Sequence, residues 1–171
     1  SLYYANNHNG SWNTRPVVEV TGHGLHASLV LDSRGNPNIA YHIKETTGNV
    51  PRLVLMQWTG QAWQRYQNAQ NEAANTDVSV AVGPDDTLHF SFLDNYSTQV
   101  IYSHFFANHY ENQAIDEANP NCRSFPIVVD PEGFPHLVYQ ARTGSLFHAA
   151  WQGATWLREQ IDPSVGAGNW S

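Results

Sequence analysis

The sequence predicts an all-β fold, and within that class a β-propeller built of four-stranded antiparallel blades, about three and a half of them in 171 residues. Three observations carry this. First, an outer hairpin recurs as "SLYYANNHNGSW", "RLVLMQWTGQAW", "QVIYSHFFANHY" and "GSLFHAAWQGATW", with Leu2, Leu53, Val100 and Leu146 opening it and Trp12, Trp63, Tyr110 and Trp156 closing it. Second, an inner hairpin interleaves with it as "LVLDSRGNPNIAYH", "VAVGPDDTLHFSF" and "IVVDPEGFPHLVYQ", with Tyr41, Phe92 and Tyr139 as matched aromatics. Both sets step by about 46–51 residues, a period that belongs to blades and solenoid turns. Third, no stretch sustains a helical period, whereas short alternating runs between Gly, Pro, Asn and Asp recur throughout.

The elements follow in order. Residues 1–20 read as the outer half of a blade. In the blade at 21–70, "HASLVLD" is apolar and β-branched, "SRGNP" turns, and "NIAYHIK" alternates. "NVPRLVLMQW" and "AWQRYQ" then flank the turn "TGQ". The blade at 71–118 runs through 78–82, 88–93, 100–106 and 110–115. The blade at 119–163 runs through 126–130, 136–140, 146–151 and 156–161, and 164–171 begins a next blade or a tail. "NAQNEAANT" (68–76) has no apolar face and reads as a surface loop.

A lone four-stranded sheet with two apolar faces is unstable, and stacking blades around an axis covers both. The apolar inner strands "SLVL", "VSVAV" and "PIVV" are therefore expected to have both faces covered. The polar "WQRYQ" and "WLREQ" suit the rim. A β-sandwich is the structural alternative. The register lacks about 19 residues equivalent to 126–144, the inner hairpin that would complete the half-blade. Since three and a half blades cannot close a ring, self-association or membership of a longer chain is expected.

Composition narrows the function. Charged residues are 13% and the net charge is −7, with Lys44 the single lysine, which argues against a nucleic-acid binder that needs a cationic face. No run of apolar residues is long enough to span a membrane as a helix. The single cysteine, Cys122, excludes an internal disulfide and every multi-cysteine zinc pattern, and reads as a small semi-buried side chain. Abundant Asn, Gln, Ser, Thr, Trp and Tyr at low charge accompany extracellular sugar-contacting proteins, so an extracellular or periplasmic location is expected. The Asn-X-Ser sequons at Asn9, Asn95 and Asn169 carry little weight in so Asn-rich a chain.

The phrases "LVLDSRGNPNIAYH", "VVDPEGFPHLVYQ" and "SLFHAAWQGATW" resemble a repeat of secreted microbial β-propellers of the BNR-like group, sialidase-like and lectin-type. The pattern is apolar-apolar-Asp-x-x-Gly-x-Pro-His-aliphatic-x-Tyr, followed by Leu-x-Tyr, then Gly-x-x-Trp. The resemblance covers almost the whole chain and implies fold more than function, because this fold hosts lectins, lyases, glycosidases and scaffolds. The middle repeat departs from it: Gly83 replaces the Asp, Asp86 the Gly, Leu88 the Pro and Tyr110 the Trp. If sugar sites recur with the blades, that copy is expected to be degenerate.

Candidate chemical residues were weighed against their structural uses. The acids Asp32, Asp85, Asp86, Asp130 and Glu132 fall in turns. Asp and Gly are what a tight hairpin requires, so their recurrence favours structure over acid/base work. Asn38, His89 and His136 share a column, expected to bond the neighbouring blade's backbone. His23, His26 and His42 match no compact metal motif, and no metal or cofactor is implied. A lyase could use His89 or His136 with a nearby tyrosine. A glycosidase needs two opposed carboxylates and a sialidase an arginine cluster. The arginines (Arg15, Arg34, Arg52, Arg65, Arg123, Arg142, Arg158) are scattered, with Arg65 and Arg158 column-equivalent on the rim.

The aromatics are the favoured ligand-binding candidates: Trp12, Trp58, Trp63, Trp151 and Trp156, whose indoles offer apolar faces to pyranose C–H groups and a donor N–H. Their alternative role is to wedge between blades. The favoured function is a non-enzymatic glycan-binding or interaction module. The runners-up are a segment of a catalytic propeller and a structural self-assembling propeller.

Overall fold

The computed structural model describes residues 1–18, 23–44, 51–68, 77–94, 97–122 and 124–164. The strands are β1 (Leu2–Asn6), β2 (Asn13–Val18), β3 (His23–Leu31), β4 (Pro37–Lys44), β5 (Pro51–Trp58) and β6 (Trp63–Gln67). They continue as β7 (Ser79–Val82), β8 (Leu88–Asp94), β9 (Gln99–Phe106), β10 (His109–Glu117), β11 (Ile127–Val129), β12 (Pro135–Gln140), β13 (Leu146–Trp151) and β14 (Trp156–Asp162). They form one two-stranded sheet, β1-β2, and three four-stranded antiparallel sheets, each ordered as its strands run in sequence. The inner strand β7 touches both β3 and β11, so successive sheets converge on their first strands, as propeller blades do. Separate blades meeting at their inner edges exclude the sandwich.

The turns obey the chemistry that the repeat requires. The Asp32 carboxylate accepts from the backbone N–H of Arg34 (3.0 Å) and Asn36 (2.7 Å). Asp130 accepts from Phe134 N–H (2.8 Å). In both turns the glycine takes a left-handed φ, +78° at Gly35 and +91° at Gly133, which a β-carbon would strain. The divergent middle turn finds another solution. Asp86 itself adopts φ +65°, which aspartate tolerates, and its carboxylate crosses to the first blade to accept from Ser33 N–H (2.7 Å) and Ser33 Oγ–H (2.6 Å).

Three apolar seams hold the blades together. Tyr4 packs with Ile39, Tyr41, Ile43, Val54 and Met56 between the half-blade and the first blade. Leu55, Val80, Phe90, Phe92, Ile101 and Phe105 fill the next seam, and Leu93, Val100, Phe125, Leu137, Tyr139 and Ala149 the third. Cys122 is buried and free within that last seam. Near the axis, Ser28 Oγ accepts from Val80 N–H and Ser79 Oγ from Ile127 N–H, each at 3.3 Å. The same serine thus links successive inner strands twice.

Two expectations need correction. Only β7 has both faces covered: Leu29 is 51%, Leu31 49% and Val128 62% exposed. Leu29 and Leu31 pair with Ile39 and Pro37 on the face that meets the half-blade. That half-blade covers β4, β5 and β6 but leaves these β3 side chains open. Also, Asn68 is buried rather than on a surface loop, its amide paired with that of Asn112 across the first–second seam (2.8 Å); residues 69–76 of that proposed loop lie outside the described residues, as do 165–171.

The column-equivalent arginines do play a repeated role. Arg158 Nη1 pairs with Asp116 at 2.9 Å while the buried Tyr139 hydroxyl donates to the same carboxylate at 2.7 Å, tying the third blade to the second. Burial, then Asp116, pushes the Tyr139 phenol above its usual range. Arg65 stands in the same relation to the buried Tyr41, whose phenol burial likewise raises. Replacing Tyr139 by Phe is expected to cost about 1.5 kcal/mol in urea denaturation, the low end for a hydrogen bond to a charged group, because Asp116 keeps its other partner. A change within a few tenths would show that Arg158 alone suffices.

Candidate functional site

Two outer hairpins, β5–β6 and β13–β14, present a pair of indoles at the turn, because the first and last residues around a short turn sit opposite one another; β1–β2 sets Asn6 against Asn13 there, and β9–β10 sets Phe106 against His109. Trp58 pairs in register with Trp63, and Trp151 with Trp156. Period-two alternation then puts every second residue of the preceding blade's outer hairpin on the face that meets those indoles. The result is a cleft between blades at each outer seam.

The cleft between the second and third blades is open. Its volume is about 350 Å³, and it is lined by Tyr102, His104, Glu111, Asn112, Gln113 and Trp151. Trp156 packs against two of these lining residues, edge-on to Tyr102 at 5.0 Å and with its indole N–H donating to Gln113 Oε1 at 3.0 Å. His104 Nε2 approaches Glu111 Oε2 at 3.4 Å, and Glu111 is 68% exposed. Behind this wall His89 Nδ1 shares a 2.7 Å hydrogen bond with the Tyr102 hydroxyl. Burial first, and then the neighbouring His104, lowers His89 to about 4, so it is neutral near pH 7. Burial pushes the Tyr102 phenol well above its usual range. The cleft therefore offers one carboxylate acceptor, the Gln113 amide, an imidazole and an indole, a set matched to hydroxyl groups on a partly apolar ring; the Asn112 amide is turned away to Asn68.

The cleft between the half-blade and the first blade is closed differently. Arg15 lies with its guanidinium 3.9 Å from the Trp58 ring centre, 5.2 Å from Tyr4 and 5.8 Å from Trp63. Trp63 in turn meets Tyr4 edge-on at 5.9 Å. In the middle cleft, Tyr66 lies on Phe105 at 4.8 Å, and Phe105 on Tyr110 at 4.8 Å. Aromatic rings fill that seam in the repeat whose motif diverges.

The five candidate tryptophans thus occupy different settings. Trp151 faces the open cleft. Trp63 and Trp156 are half-buried and pack into seams. Trp58 carries Arg15 on its face, and Trp12, 73% exposed, stands in solvent at the β1–β2 turn. The structure brings Tyr102, His104, Glu111 and Gln113 to the cleft, none of which sequence reasoning chose for binding. The signal available was the column register of the fourth strands, which places Gln113 opposite Trp156.

The other candidates are structural in place. The column Asn38, His89 and His136 bonds within its own blade, which corrects the expected link to a neighbour's backbone. Asn38 Oδ1 accepts from Gln57 (2.9 Å) and His89 meets Tyr102; His136 lies 3.0 Å from His148 Nε2 and 3.3 Å from Asp130. The turn acids hold turns. Asp130 is kept below the usual carboxylate range by the Phe134 N–H and Asp85 by Thr87; Glu132 is exposed. His26 pairs with Asp77 at 2.6 Å and His42 is buried edge-on to Phe92; the His23 side chain lies outside the described residues.

No protein-family model and no curated protein matches the chain. Solved structures do. A fucose lectin from Kordia zhangzhouensis, in complex with methyl-fucoside, superposes with a TM-score of 0.55 at 10% identity over 80% of this chain and 99% of the lectin. A fungal lectin from Aleuria aurantia, a six-bladed β-propeller, gives 0.64 at 15% identity over 94% of this chain. A Hadza microbial sialidase gives 0.63 at 14% over 95% of this chain. The chain spans 52% of the Aleuria lectin and 40% of the sialidase. At these identities the likeness is one of fold: the chain has the β-propeller architecture of lectin-type and sialidase-like proteins.

Proposed function

We propose that this chain is a glycan-binding module whose open inter-blade cleft takes a neutral sugar. The observation that carries the reading is the cleft lining: Trp151 as a stacking face, with Glu111, His104 and Gln113 around it. Such a site binds by C–H contact with an indole and by hydroxyl donation to a carboxylate. The structural neighbours named for fucose binding support sugars as the ligand class and make methyl-fucoside the first probe. Trp156 and Trp63 act as wedges that shape the clefts, and Trp12 and Trp58 as outlying contacts.

Two features weigh against catalysis in this cleft. Among the described residues Glu111 is the one carboxylate lining it, where glycoside hydrolysis uses a pair. The His–Tyr pair that a lyase would need exists as His89–Tyr102, but His89 is 7% exposed and its ring is committed to the strand beside it. Faces left open at Leu29, Leu31 and Val128 support association with further blades, in a second copy or in the same chain. Light scattering reads the difference. An extracellular or periplasmic setting accords with glycan contact.

The test is a glycan array followed by calorimetry on the hits. Trp151→Ala and Glu111→Gln are each expected to weaken binding tenfold or more, about 1.4 kcal/mol, with the thermal midpoint nearly unchanged. Hits that survive both substitutions would place the site elsewhere.

A further inference from the structure

The cleft at the half-blade repeats the frame of the open cleft with its charge reversed. Superposing the two outer hairpins by register sets Tyr4 on Tyr102, Asn6 on His104, Asn13 on Glu111 and Arg15 on Gln113. Trp58 and Trp63 stand where Trp151 and Trp156 do. The exchange removes the carboxylate and installs a guanidinium. It also removes an acceptor. Trp156 N–H donates to Gln113 Oε1, whereas an arginine in that place can only donate.

The consequence is visible on both partners. Trp63 Nε1 and Arg15 Nε are out of contact with solvent and have no hydrogen-bond acceptor. Among the described residues Arg15 forms no ion pair; it rests on the Trp58, Tyr4 and Trp63 rings. Buried donors are normally satisfied, and Arg15, half-buried, has its Nε enclosed without a partner among the described residues. Here two donors and one charge lie side by side with nothing among the described residues to accept them. A planar carboxylate fits the fork of a guanidinium, and its second oxygen suits an indole N–H. The surrounding aromatic rings suit a ring-shaped body behind that carboxylate.

We propose that the cleft at Tyr4, Arg15, Trp58 and Trp63 is a carboxylate site that takes acidic sugars, beside an open cleft that takes neutral ones. Only the sugar part rests on the glycan-binding reading; the carboxylate part stands on the unmet donors.

The test follows the tryptophan indole N–H resonances of the full chain by NMR, at matched ionic strength, with sodium glucuronate, its neutral methyl ester and sodium acetate. Trp63 and Trp151 are assigned with Trp63→Phe and Trp151→Phe. Glucuronate is expected to move the Trp63 resonance and to bind at least tenfold tighter than the ester. Arg15→Gln, which restores the amide found at Gln113, should abolish that response while leaving neutral-sugar shifts at Trp151 intact. Arg15→Lys keeps the charge without the fork and should retain a weakened response. A smaller shift with acetate supports recognition of the carboxylate, and the surplus of glucuronate over acetate reports the sugar ring. The proposal is overturned if the ester binds as well as the acid, if the response survives Arg15→Gln, or if glucuronate never moves Trp63 in the unmutated chain. Loss of neutral-sugar shifts at Trp151 with an intact Trp63 response would sink the neutral cleft and leave this one standing.

Discussion

Replacing Trp156 by alanine is expected to destabilise the chain by about 3 kcal/mol, while the same change at Trp151 leaves stability within about 0.5 kcal/mol of the parent. The two indoles are partners across one hairpin turn, yet they do different work. Trp156 packs into the seam between the second and third blades, stands edge-on to Tyr102 at 5.0 Å and donates to Gln113. Its removal opens a void in the seam, deprives Gln113 of its donor and frees the Tyr102 ring. Because Trp156 is half-buried rather than fully buried, the loss sits at the lower end of what tryptophan truncation costs in a core. Trp151 walls the cleft and meets the seam through one tilted contact with Trp156 at 5.6 Å. Urea denaturation of both variants checks this, with an unchanged slope confirming that the folded and unfolded states are otherwise comparable. If Trp156→Ala costs less than about 1 kcal/mol, the wedge assignment fails, and with it the separation of roles between the two indoles.

That separation marks the limit of what the sequence displays. The blades were legible because turn chemistry and strand alternation are local: Asp32 and Gly35, or Asp130 and Gly133, close their turns within five residues and recur at the repeat period. The structural role of the turn acids follows from the same locality. The clefts are not local. What a wedging indole meets depends on the residue facing it from the preceding blade, Gln113 for Trp156 but Arg15 for Trp63. Those pairings became visible only once the columns of neighbouring blades were set side by side. The His89 column shows the same limit. Alternation correctly puts it on the face away from Phe90 and Phe92, but its partner is Tyr102 of the adjacent strand, not the next blade. The exposure of Leu29 and Leu31 was missed for a related reason. An apolar strand is expected to be covered on both faces, and the half-blade covers β4 to β6 but not Leu29 and Leu31 of β3.

Acidification from pH 7 to pH 4 is expected to remove about 3 kcal/mol of stability through His89 alone. Burial in the second blade is the main reason this imidazole is held at about 4, the proximity of His104 adds to it, and Asp85 opposes both. In the unfolded chain the same group titrates near its ordinary value, about 6.5. Between those two values the unfolded state therefore binds the extra proton, and stability must fall as the pH falls. The contribution is complete above about pH 6.5 and is lost progressively down to about 4, below which both states are protonated. Other groups titrate over the same range, so the informative quantity is the difference between parent and His89→Gln, whose amide keeps a hydrogen-bonding group beside Tyr102 without a titratable proton. The parent's stability should decline more steeply than the variant's in this window and run parallel to it above pH 7. Two neighbours give the sign independently. Neutralising Asp85 with Asn removes the one group that favours His89 protonation and should widen the window, whereas His104→Gln should narrow it. Parallel curves for parent and His89→Gln from pH 7 to 4 would mean that the ring is solvated when protonated. The Tyr102–His89 wall behind the cleft would then not be the dry, rigid support on which the geometry of the sugar site depends.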